Sequence, residues 1–565
     1  GSGAAITTAR VTVENPATQR RVDVQTDGTG LFQALLLPIG AYRVTIEAPG
    51  FRKAVYEDLK LLINQTVRVD AKLEVGQVSE TVQVEGSTTG VETVNVTIGA
   101  SVTDRPIVNM PLNGRNVLQL AQLQPGVTPA RPTTQSGAAG IFNVAGGRSD
   151  SVTFLLDGGM NNNLLSNGIV LNPNPDSIAE FRILTSNYTA EFGRNAAGVV
   201  SVVTKSGTNA LHGSAFHFLR NEALNANRFF NNANSLPKER LKRNQYGFTL
   251  GGPVVLPKVY DGRNKLFFFQ SFQGQTLRQL ASATAFQTFT PAELRGDFSQ
   301  SVRGGPDPGV ADFLRRNPYF QGNPDLATRA IIDPARFNPI SQNYLKAGLV
   351  ETAPAGTLFA QGSSTNDRRE STTKVDYAPT QSDRFAVTLG YQLNPLLNPF
   401  PIVGNGSFYP TTTDAKNWFG NLTYTKVFTP SLLNEFRMTA QRAEQLQLAP
   451  AVKRPAAAEL GIAVTPDRPS GPPILSFASG AFYGFSPNGP TELVNNTYNY
   501  TDNLTWIKGR HNIKTGFFLA AYQNNTIYDF YVNGQFLFSG AANAGGIGSG
   551  NDRADFLLGL PDQYL

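Results

Sequence analysis

The sequence has no cysteine and no long apolar run. The absence of cysteine among 565 residues excludes disulfides, thiolate metal sites and cysteine nucleophiles. No stretch approaches the roughly 18 consecutive apolar residues of a membrane-spanning helix, so helical spans are excluded. Histidine is also scarce, with only His212, His217 and His511 present. The first two lie five residues apart on a predicted strand and therefore on opposite faces, so we predict no metal site.

Charge and glycine patterns exclude further classes of protein. The formal charge of +6 and the pI near 9.2 reflect a mild basic excess spread along the chain, which is not the pattern of a nucleic-acid-binding stripe. No Gly-x-Gly-x-x-Gly segment opens a predicted helix, which argues against nucleotide binding. No carboxylate pair or catalytic triad can be assigned. The sequence therefore predicts no enzymatic activity, no cofactor and no nucleic-acid partner.

After about residue 210, apolar residues recur at every second position. This period indicates strands with one apolar face and one polar face. The runs include Tyr246, Phe248 and Leu250; Thr373, Val375 and Tyr377; Phe385, Val387, Leu389 and Tyr391; Trp418, Leu422 and Tyr424; Phe436, Met438 and Ala440; Tyr498, Tyr500, Leu504 and Trp506; and Ile513, Phe517 and Leu519. The 37 Phe and 18 Tyr residues are enough to form aromatic girdles at two membrane interfaces.

The connectors between these strands alternate between long and short. Long connectors follow the first strand and cover residues 275–370 and 444–496, whereas tight turns lie at Pro379–Asp383, Thr429–Ser431 and Lys508–Arg510. In an up-and-down meander, all connectors of one kind emerge at the same end, which is the asymmetry of bacterial outer-membrane barrels. Because helical spans are excluded, a barrel is the remaining structure that could cross a membrane.

The first long connector and its flanks carry a cluster of basic residues. The cluster consists of Arg220, Arg228, Lys238, Arg240, Lys242 and Arg243. A basic loop outside the cell would suit phosphate-rich lipopolysaccharide, because arginine and lysine bind phosphate through charge-assisted hydrogen bonds. The alternative is a solvated loop without a partner.

Residues 1–78 are predicted to form a small β-sandwich, with turn residues at Asp27–Gly30 and Pro49–Gly50. The predicted strands are Val11–Glu14, Arg21–Gln25, Tyr42–Glu47 and Thr66–Leu73. This region resembles the carboxypeptidase-regulatory-like domain found in front of many TonB-dependent receptors, and the residues that carry the resemblance are Ser2–Ile6, Thr26–Phe32 and Leu37–Val44. The family name implies no peptidase activity in this chain.

Residues 79–96 are predicted to be a polar linker that contains one extended, alternating segment. That segment consists of Glu80, Thr81, Val82, Gln83 and Val84. It resembles a TonB box, the short segment to which an energy-coupling protein of the inner membrane adds a strand. Alternating β-branched residues suit strand addition, because the backbone supplies the hydrogen bonds and alternate side chains set the register. The alternative is that the segment is the last strand of the preceding sandwich.

Residues 97–208 mix short strands with helix-like and loop segments rich in Gly and Asn. They resemble the plug of TonB-dependent receptors, especially the Oar-like subgroup, in Pro111–Leu120, Val144–Ser149, Phe154–Gly158 and Glu191–Gly207, and the similarity continues into Asn244–Gly247 and Gly251–Val254. The first of these segments is predicted to enter a short amphipathic helix. Arg148 and Asp157 are predicted to join the plug to the barrel wall, and the alternative is that they stabilise turns within the plug.

The resemblance implies a mainly β fold with three parts. These are an N-terminal β-sandwich, an α+β plug and a partial transmembrane antiparallel β-barrel over residues 209–565. The barrels of large outer-membrane transporters have 22 strands, and about ten are predicted here, so we expect a truncated barrel. Residues 1–10 lack the basic region and apolar core of a secretory signal, so we expect that a signal was removed or that the chain starts late.

The implied function is TonB-dependent, energy-coupled transport or reception of an unidentified large or scarce substrate at the bacterial outer membrane. The N-terminal domain would then lie in the periplasm. The expected partners are a TonB-type coupling protein, lipopolysaccharide and the transported ligand. The alternative function is a non-transporting surface or adhesion protein whose barrel displays long extracellular loops.

Overall fold

A computed structural model describes most of the chain as three successive β units. Within the described residues, no helix is long and apolar enough to cross a membrane. The described residues are 4–35, 37–63, 65–76, 81–85, 98–130, 142–163, 167–233, 235, 237–280, 284–301, 305–360, 362–399, 410–448, 455–464, 471–484, 491–509, 511–528, 531–541 and 547–565.

The first unit is a five-stranded sheet with strands β1 (Arg10–Asn15), β2 (Arg20–Gln25), β3 (Gly40–Glu47), β4 (Lys53–Leu61) and β5 (Thr81–Glu85). The strand order is β2-β1-β3-β4-β5, and β5 runs parallel to β4. The predicted strand Thr66–Leu73 does not form, because β5 occupies the ladder position beside β4. That segment instead packs Val69 and Leu73 against the core as a second, extended layer.

The second unit is built from strands β6 (Ile98–Thr103), β7 (Val127–Pro129), β8 (Phe142–Val144), β9 (Val152–Leu156), β10 (Gly159–Met160), β11 (Ile178–Ser186) and β12 (Gly198–Thr204), with helix α1 (Asp104–Asn109). Its main sheet has the order β10-β9-β12-β11-β6, and β7 pairs with β8. The sequence of β12 is continuously apolar apart from Ser201 and Thr204, and the strand is buried along its whole length. An unbroken apolar run of this kind is typical of a strand covered on both faces.

The predicted amphipathic helix of this unit is two turns of 3-10 helix, Asn113–Arg115 and Val117–Leu123. An α-helix does not form across Gly114 and Arg115, because both residues have positive φ, 66° and 56°. The second turn is nevertheless amphipathic, since Val117, Leu118, Leu120 and Ala121 are buried.

The third unit contains the longest strands. The strands of this region are β13 (His212–Asn221), β14 (Leu241–Pro253), β15 (Val255–Leu256), β16 (Tyr260–Asp261), β17 (Leu266–Leu280), β18 (Thr284–Gln287), β19 (Thr357–Ala360), β20 (Ser363–Asn366), β21 (Arg369–Tyr377), β22 (Asp383–Asn398), β23 (Thr411–Thr429), β24 (Leu432–Leu448), β25 (Ile474–Phe477), β26 (Phe482–Tyr483), β27 (Thr491–Lys508), β28 (His511–Tyr528), β29 (Gln535–Phe538) and β30 (Gln563–Tyr564). Its helices are α2 (Phe229–Ala233), α3 (Pro291–Leu294), α4 (Pro308–Arg316), α5 (Pro318–Gln321), α6 (Pro324–Thr328), α7 (Pro339–Lys346) and α8 (Asp552–Leu558).

Ten of these strands form one antiparallel sheet, in the order β13-β14-β17-β20-β22-β23-β24-β27-β28 with β21 between β17 and β22. The apolar and polar faces alternate as predicted. On the outer face, the Phe385 ring stacks on Tyr377 and Tyr424, with ring centroids 6.3 and 4.6 Å apart. On the inner face, Ser271 and Thr372 are completely buried beneath the second unit. We call the ends of this sheet the turn end and the loop end, after the connectors found there.

Two long connectors at the loop end and the segment that follows β28 fold together into one domain, which we call the cap. Its core joins buried residues from these three segments, which are far apart in sequence, namely Phe289, Phe298, Val310, Ala311, Phe313, Leu314, Ala327, Ala330, Ile332, Tyr344, Leu349, Val350, Ala457, Leu460, Ile462, Leu475, Phe477, Ala481, Tyr483, Phe538, Ala554, Phe556, Leu557 and Leu558. The sequence predicted long connectors at this end but gave no sign that they share a core.

The Phe556→Ala substitution should unfold the cap locally. Phe556 is 1% exposed, and its ring lies 5.6 to 5.9 Å from those of Phe289, Phe477 and Phe538. Removing a buried Phe side chain costs roughly 3–5 kcal/mol. Faster amide hydrogen exchange in all three segments that form the cap would report the loss of cap stability. The Phe359→Ala control removes a ring that is 68% exposed and should leave exchange unchanged, whereas equal exchange in both variants would contradict a shared core.

Candidate functional site

The second unit lies against the inner face of the ten-stranded sheet, and Asp157 makes the most deeply buried ionic contact between them. Its carboxylate is 3.1 Å from Nζ of Lys374 on β21 and accepts a 2.7 Å hydrogen bond from the Thr388 hydroxyl on β22. Thr204 of β12 donates both its backbone N–H and its hydroxyl, at 2.9 and 2.6 Å. The Asp157 and Lys374 side chains are only 8% and 6% exposed. One carboxylate therefore joins the second unit to two strands of the ten-stranded sheet, which we call the wall.

The other predicted contact residue, Arg148, is placed differently. Its guanidinium pairs with Asp150 at 2.6 Å, and its side chain is 83% exposed. Arg148 is the N-cap residue of the 3-10 turn Ser149–Ser151 and Asp150 lies within that turn, so their side chains meet on the surface of the second unit. Among the described residues, Arg148 thus contacts a turn of its own unit, and its role at the wall stays a prediction.

A largely buried arginine at the wall, Arg115, was not predicted from the sequence. Its guanidinium pairs with Asp176 and donates a 3.1 Å hydrogen bond to Gln273 of β17. It also lies 4.4 and 4.7 Å from the ring centroids of Phe216 and Phe218 on β13, within cation–π distance. The sequence feature that could have pointed to Arg115 is its position directly after the turn residue Gly114.

Carboxamide and backbone groups add further bonds between the second unit and the wall. Asn174 Nδ2 donates to the Ser271 hydroxyl at 2.6 Å, and Arg368 donates to the Asn172 carbonyl at 2.7 Å. On β24, Arg437 donates to the Gly158 carbonyl at 3.1 Å. A Cβ atom at residue 158 would lie 2.6 Å from Cζ of Arg437 and would displace that side chain, and the φ of 77° at Gly158 also favours glycine. The richness in Gly and Asn thus provides close contacts and hydrogen bonds at this interface.

The predicted TonB box falls partly outside the described residues, because Glu80 is not among them. Thr81, Val82, Gln83 and Val84 lie in β5, where Val82 pairs with Ala54 of β4. This strand is at the end of the sheet order, so one of its backbone edges faces away from β4. The pairing is the one expected for a last strand of the N-terminal sheet, and the role of the segment as a box stays a prediction.

The histidines show no metal-binding arrangement. His212 and His217 both lie on β13, and their register partners on β14 are Gly251 and Tyr246. In the part of the chain that the structure describes, no group of three or more His, Cys, Asp or Glu residues could hold a metal ion.

The cap contains one buried carboxyl group with an unusual environment. Asp555 of α8 is completely buried and accepts a 2.8 Å hydrogen bond from the Ser549 backbone N–H. Its Oδ2 atom has no hydrogen-bond partner among the described residues. Burial, with a smaller contribution from Asp562 and Asp552, raises the pKa of Asp555 to about 6.

A two-faced antiparallel sheet whose polar face holds a separate, hydrogen-bonded domain is the architecture of a plugged outer-membrane β-barrel. The chain belongs to the outer membrane beta barrel domain family, whose profile matches residues 203–565. The TonB-dependent receptor plug domain matches residues 92–200, and the carboxypeptidase regulatory-like domain matches residues 1–74. These matches confirm the predicted fold class and place the protein in the bacterial outer membrane.

The chain spans only part of the length of three similar proteins. The TonB-dependent transporter Oar of Myxococcus xanthus is 27% identical over 275 residues, which cover 46% of this chain and 24% of Oar. The Escherichia coli outer membrane transporter YddB has a TM-score of 0.47 at 10% identity, over 78% of this chain and 50% of YddB. Pseudomonas aeruginosa FpvA bound to a heterologous pyoverdine has a TM-score of 0.42 at 11% identity, over 77% of this chain and 53% of FpvA. The chain thus spans about half or less of these relatives.

The Lys374→Met substitution should loosen the plug more than the double variant Asp157→Asn with Lys374→Met. Removing one partner of a buried ion pair leaves the other charge uncompensated, which costs roughly 3–5 kcal/mol, whereas replacing both charges is often close to neutral. Hydrogen exchange in β9, β10 and β12 would measure the loss in each variant. Additive effects of the two single substitutions would show that the pair is not coupled.

The stability of the cap should fall as pH rises through about 6. The folded-state pKa of Asp555 is above the usual value of about 3.9 for an unfolded aspartate, so the folded cap favours the protonated carboxyl. This stabilisation is complete below about pH 3.9 and is lost as pH increases through about 6. Exchange of the α8 amides, measured from about pH 3.5 to about pH 7.5 and corrected for intrinsic rates, should show the fall between about pH 3.9 and about pH 6. Asp555→Asn should abolish it, and a step that persists in that variant would refute the assignment.

Proposed function

We propose that this protein is an energy-coupled outer-membrane transporter or receptor of the TonB-dependent, Oar-like class, acting on an unidentified large or scarce substrate. The observation that carries the proposal is the set of bonds between the plug and the wall, which we call the plug seat. In it, the buried Asp157–Lys374 pair and the Arg115 contacts join the plug to the inner face of the wall. A plug held by side-chain bonds fills the lumen but can be displaced without breaking its own sheet. Breaking several buried polar bonds requires an energy source, which is the role of the coupling protein.

The proposed partner at the periplasmic side is a TonB-type protein that binds Thr81–Val84. Support comes from the position of β5 at the edge of its sheet, because an edge strand offers unpaired backbone groups to an added strand. The proposed partner at the outer side is lipopolysaccharide, bound by the basic cluster around the β13–β14 connector. Three members of the cluster already have partners, since Arg228 pairs with Glu239, Lys238 donates to the Asn225 carbonyl and Arg243 donates to Asn113 of the plug.

The proposed activity is transport and not catalysis. Support comes from the matched domains, which are described as barrel, plug and regulatory-like domains. The folded cap favours one alternative, a surface protein that displays the cap for adhesion without transport. The two functions differ at the coupling segment, because an adhesin has no need to bind an energy-coupling protein.

Val82→Pro should abolish binding of the coupling protein in a pull-down with its periplasmic domain. Proline removes the backbone donor and fixes φ, so an added strand loses a hydrogen bond and its register. The Val82→Ala control keeps the backbone donor and should bind normally. If Thr81–Val84 is only the last strand of the N-terminal sheet, Val82→Pro will instead destabilise that domain by about 3 kcal/mol or more with binding undiminished. Exchange in β3 and β4 would reveal this outcome, which would favour the adhesin.

A further inference from the structure

The N-terminal domain is attached to the turn end of the barrel, beneath the plug. Arg20 at the start of β2 donates a 3.0 Å hydrogen bond to the carbonyl of Gln381, in the tight turn between β21 and β22. The backbone N–H of Asn209, where the plug leads into β13, donates to the carbonyl of Ala17 at 3.0 Å. Tight turns mark the periplasmic end of outer-membrane barrels, so the domain lies across the periplasmic mouth.

The plug contributes a built attachment for one residue of this domain. The Ile63 backbone N–H donates a 2.8 Å hydrogen bond to Glu180 Oε2, and the Ile63 carbonyl accepts a hydrogen bond from the Arg182 guanidinium. Ser101 of β6 donates to the other carboxylate oxygen of Glu180 at 2.9 Å. Glu180 and Arg182 are alternate residues of β11 and share one face, while Phe181 and Ile183 point into the plug core. We call Glu180 and Arg182 together the Ile63 clamp.

Burying Glu180 and Arg182 would cost the plug free energy if Ile63 were not bound to them. The pair therefore suits a role in holding the N-terminal domain. Glu180 and Arg182 are only 1% and 5% exposed, and buried charged groups are stabilised only by hydrogen bonds and partners. Here the partners that both side chains share are the two polar groups of a residue from another domain. Hydrogen bonds to charged groups are also the stronger kind in proteins. The contact is therefore strong and local, as a latch requires.

A cavity of about 3290 Å³ extends from the interior of the N-terminal domain to the underside of the plug and wall. Core residues of the domain, including Val13 and Ile46, line the part within the domain, and Asp157, Lys374 and Arg437 line the part beneath the plug and wall. The last three residues are the ones that seat the plug. A solute that passes the displaced plug would enter this space before it reaches the periplasm, and the N-terminal domain lies on its far side.

We propose that the N-terminal domain is a periplasmic lid, latched to the plug by the Ile63 clamp, and that energy coupling at β5 undocks it to open the exit. The proposal rests on the proposed function, because it takes the coupling protein as the source of the pull. The route of the pull is short: β5 pairs with β4, which ends at Leu61, two residues before Ile63. Glu180 and Arg182 are positioning residues in this scheme, since they hold the lid and contact no substrate.

These 565 residues contain no cysteine, so introduced thiols allow a direct test in cells with the full-length protein once any cysteine elsewhere in it is replaced by serine. A backbone hydrogen bond joins Ala17 and Asn209, so the double variant Ala17→Cys with Asn209→Cys places two thiols on backbone segments in direct contact, where disulfide formation in the oxidising periplasm reports docking. The disulfide should form fast in cells treated with a proton-motive-force uncoupler or lacking the coupling protein, and several-fold more slowly in energised cells. Adding Val82→Pro should restore the fast rate in energised cells.

Two controls separate docking from general effects. Asn209→Cys alone tests for loss of the side-chain bonds between Asn209 and Asn264. Thr12→Cys with Asp23→Cys joins register partners inside the N-terminal sheet, so its rate of disulfide formation should not respond to energisation.

Variants of the Ile63 clamp test the latch itself. Arg182→Ala should weaken docking by about tenfold and slow the Ala17–Asn209 disulfide in uncoupled cells, because a charge-assisted bond is lost. Glu180→Gln keeps an oxygen acceptor for Ile63 and should slow it less.

Equal rates of the Ala17–Asn209 disulfide in energised and uncoupled cells would overturn the lid. A disulfide that fails to form in either state, while the Thr12–Asp23 disulfide forms, would also overturn it because the domain would not be docked. The pull-down with the coupling protein distinguishes the two failures. Binding of the coupling protein with equal disulfide rates rejects the lid alone, whereas absent binding with equal rates rejects the proposed function as well.

Discussion

The constraint on which the structure depends is that a strand in hydrocarbon must pair its backbone and expose apolar side chains on one face. Side chains alternate strictly along a strand, so fixing the outward residues also fixes the inward ones. With Val387 and Leu389 directed outward on β22, Thr388 and Gly390 face the lumen. Thr388 then reaches Asp157, and Gly390 leaves room for Leu171 of the plug, which a Cβ atom at that position would overlap. The membrane face therefore determines where the plug can lie.

The bonds that seat the plug suit a domain that must have one position and still be able to leave it. Buried ion pairs contribute little net stability compared with apolar packing, but breaking one partner alone is strongly unfavourable. The Asp157–Lys374 pair, which crosses from the plug to the wall, therefore specifies the position of the plug more than it stabilises it. An apolar interface of the same size would hold the plug in place by area alone and would tolerate sliding.

The sequence predicted those features that depend on local pattern. The strands of the barrel follow from period-two alternation, and the buried strand β12 follows from its apolar run. The cap could not be predicted in this way, because its core brings together Phe289 and Phe556, which are separated by more than half the length of the barrel region. The contact of Arg115 with Gln273 is equally non-local. Arg148 pairs with Asp150 because both residues lie at the same short turn. The position of Arg148 in the sequence does not show in which direction its side chain points.

One path of contacts between the three domains runs through the sheet of the plug, in parallel with the direct bond of Arg20 to Gln381 of the barrel. Ile63 is held by β11, β11 pairs with β12, and β12 pairs in parallel with β9, which ends beside Asp157. Along this path, a pull on the N-terminal domain would load the ladders between these strands before it reached the bonds of Asp157 to the wall. Ladders pulled along the strand direction resist together, whereas the few bonds of the Ile63 clamp and the plug seat carry the load singly. The weakest connections thus lie between the domains, so the domains would separate before the plug sheet unfolded.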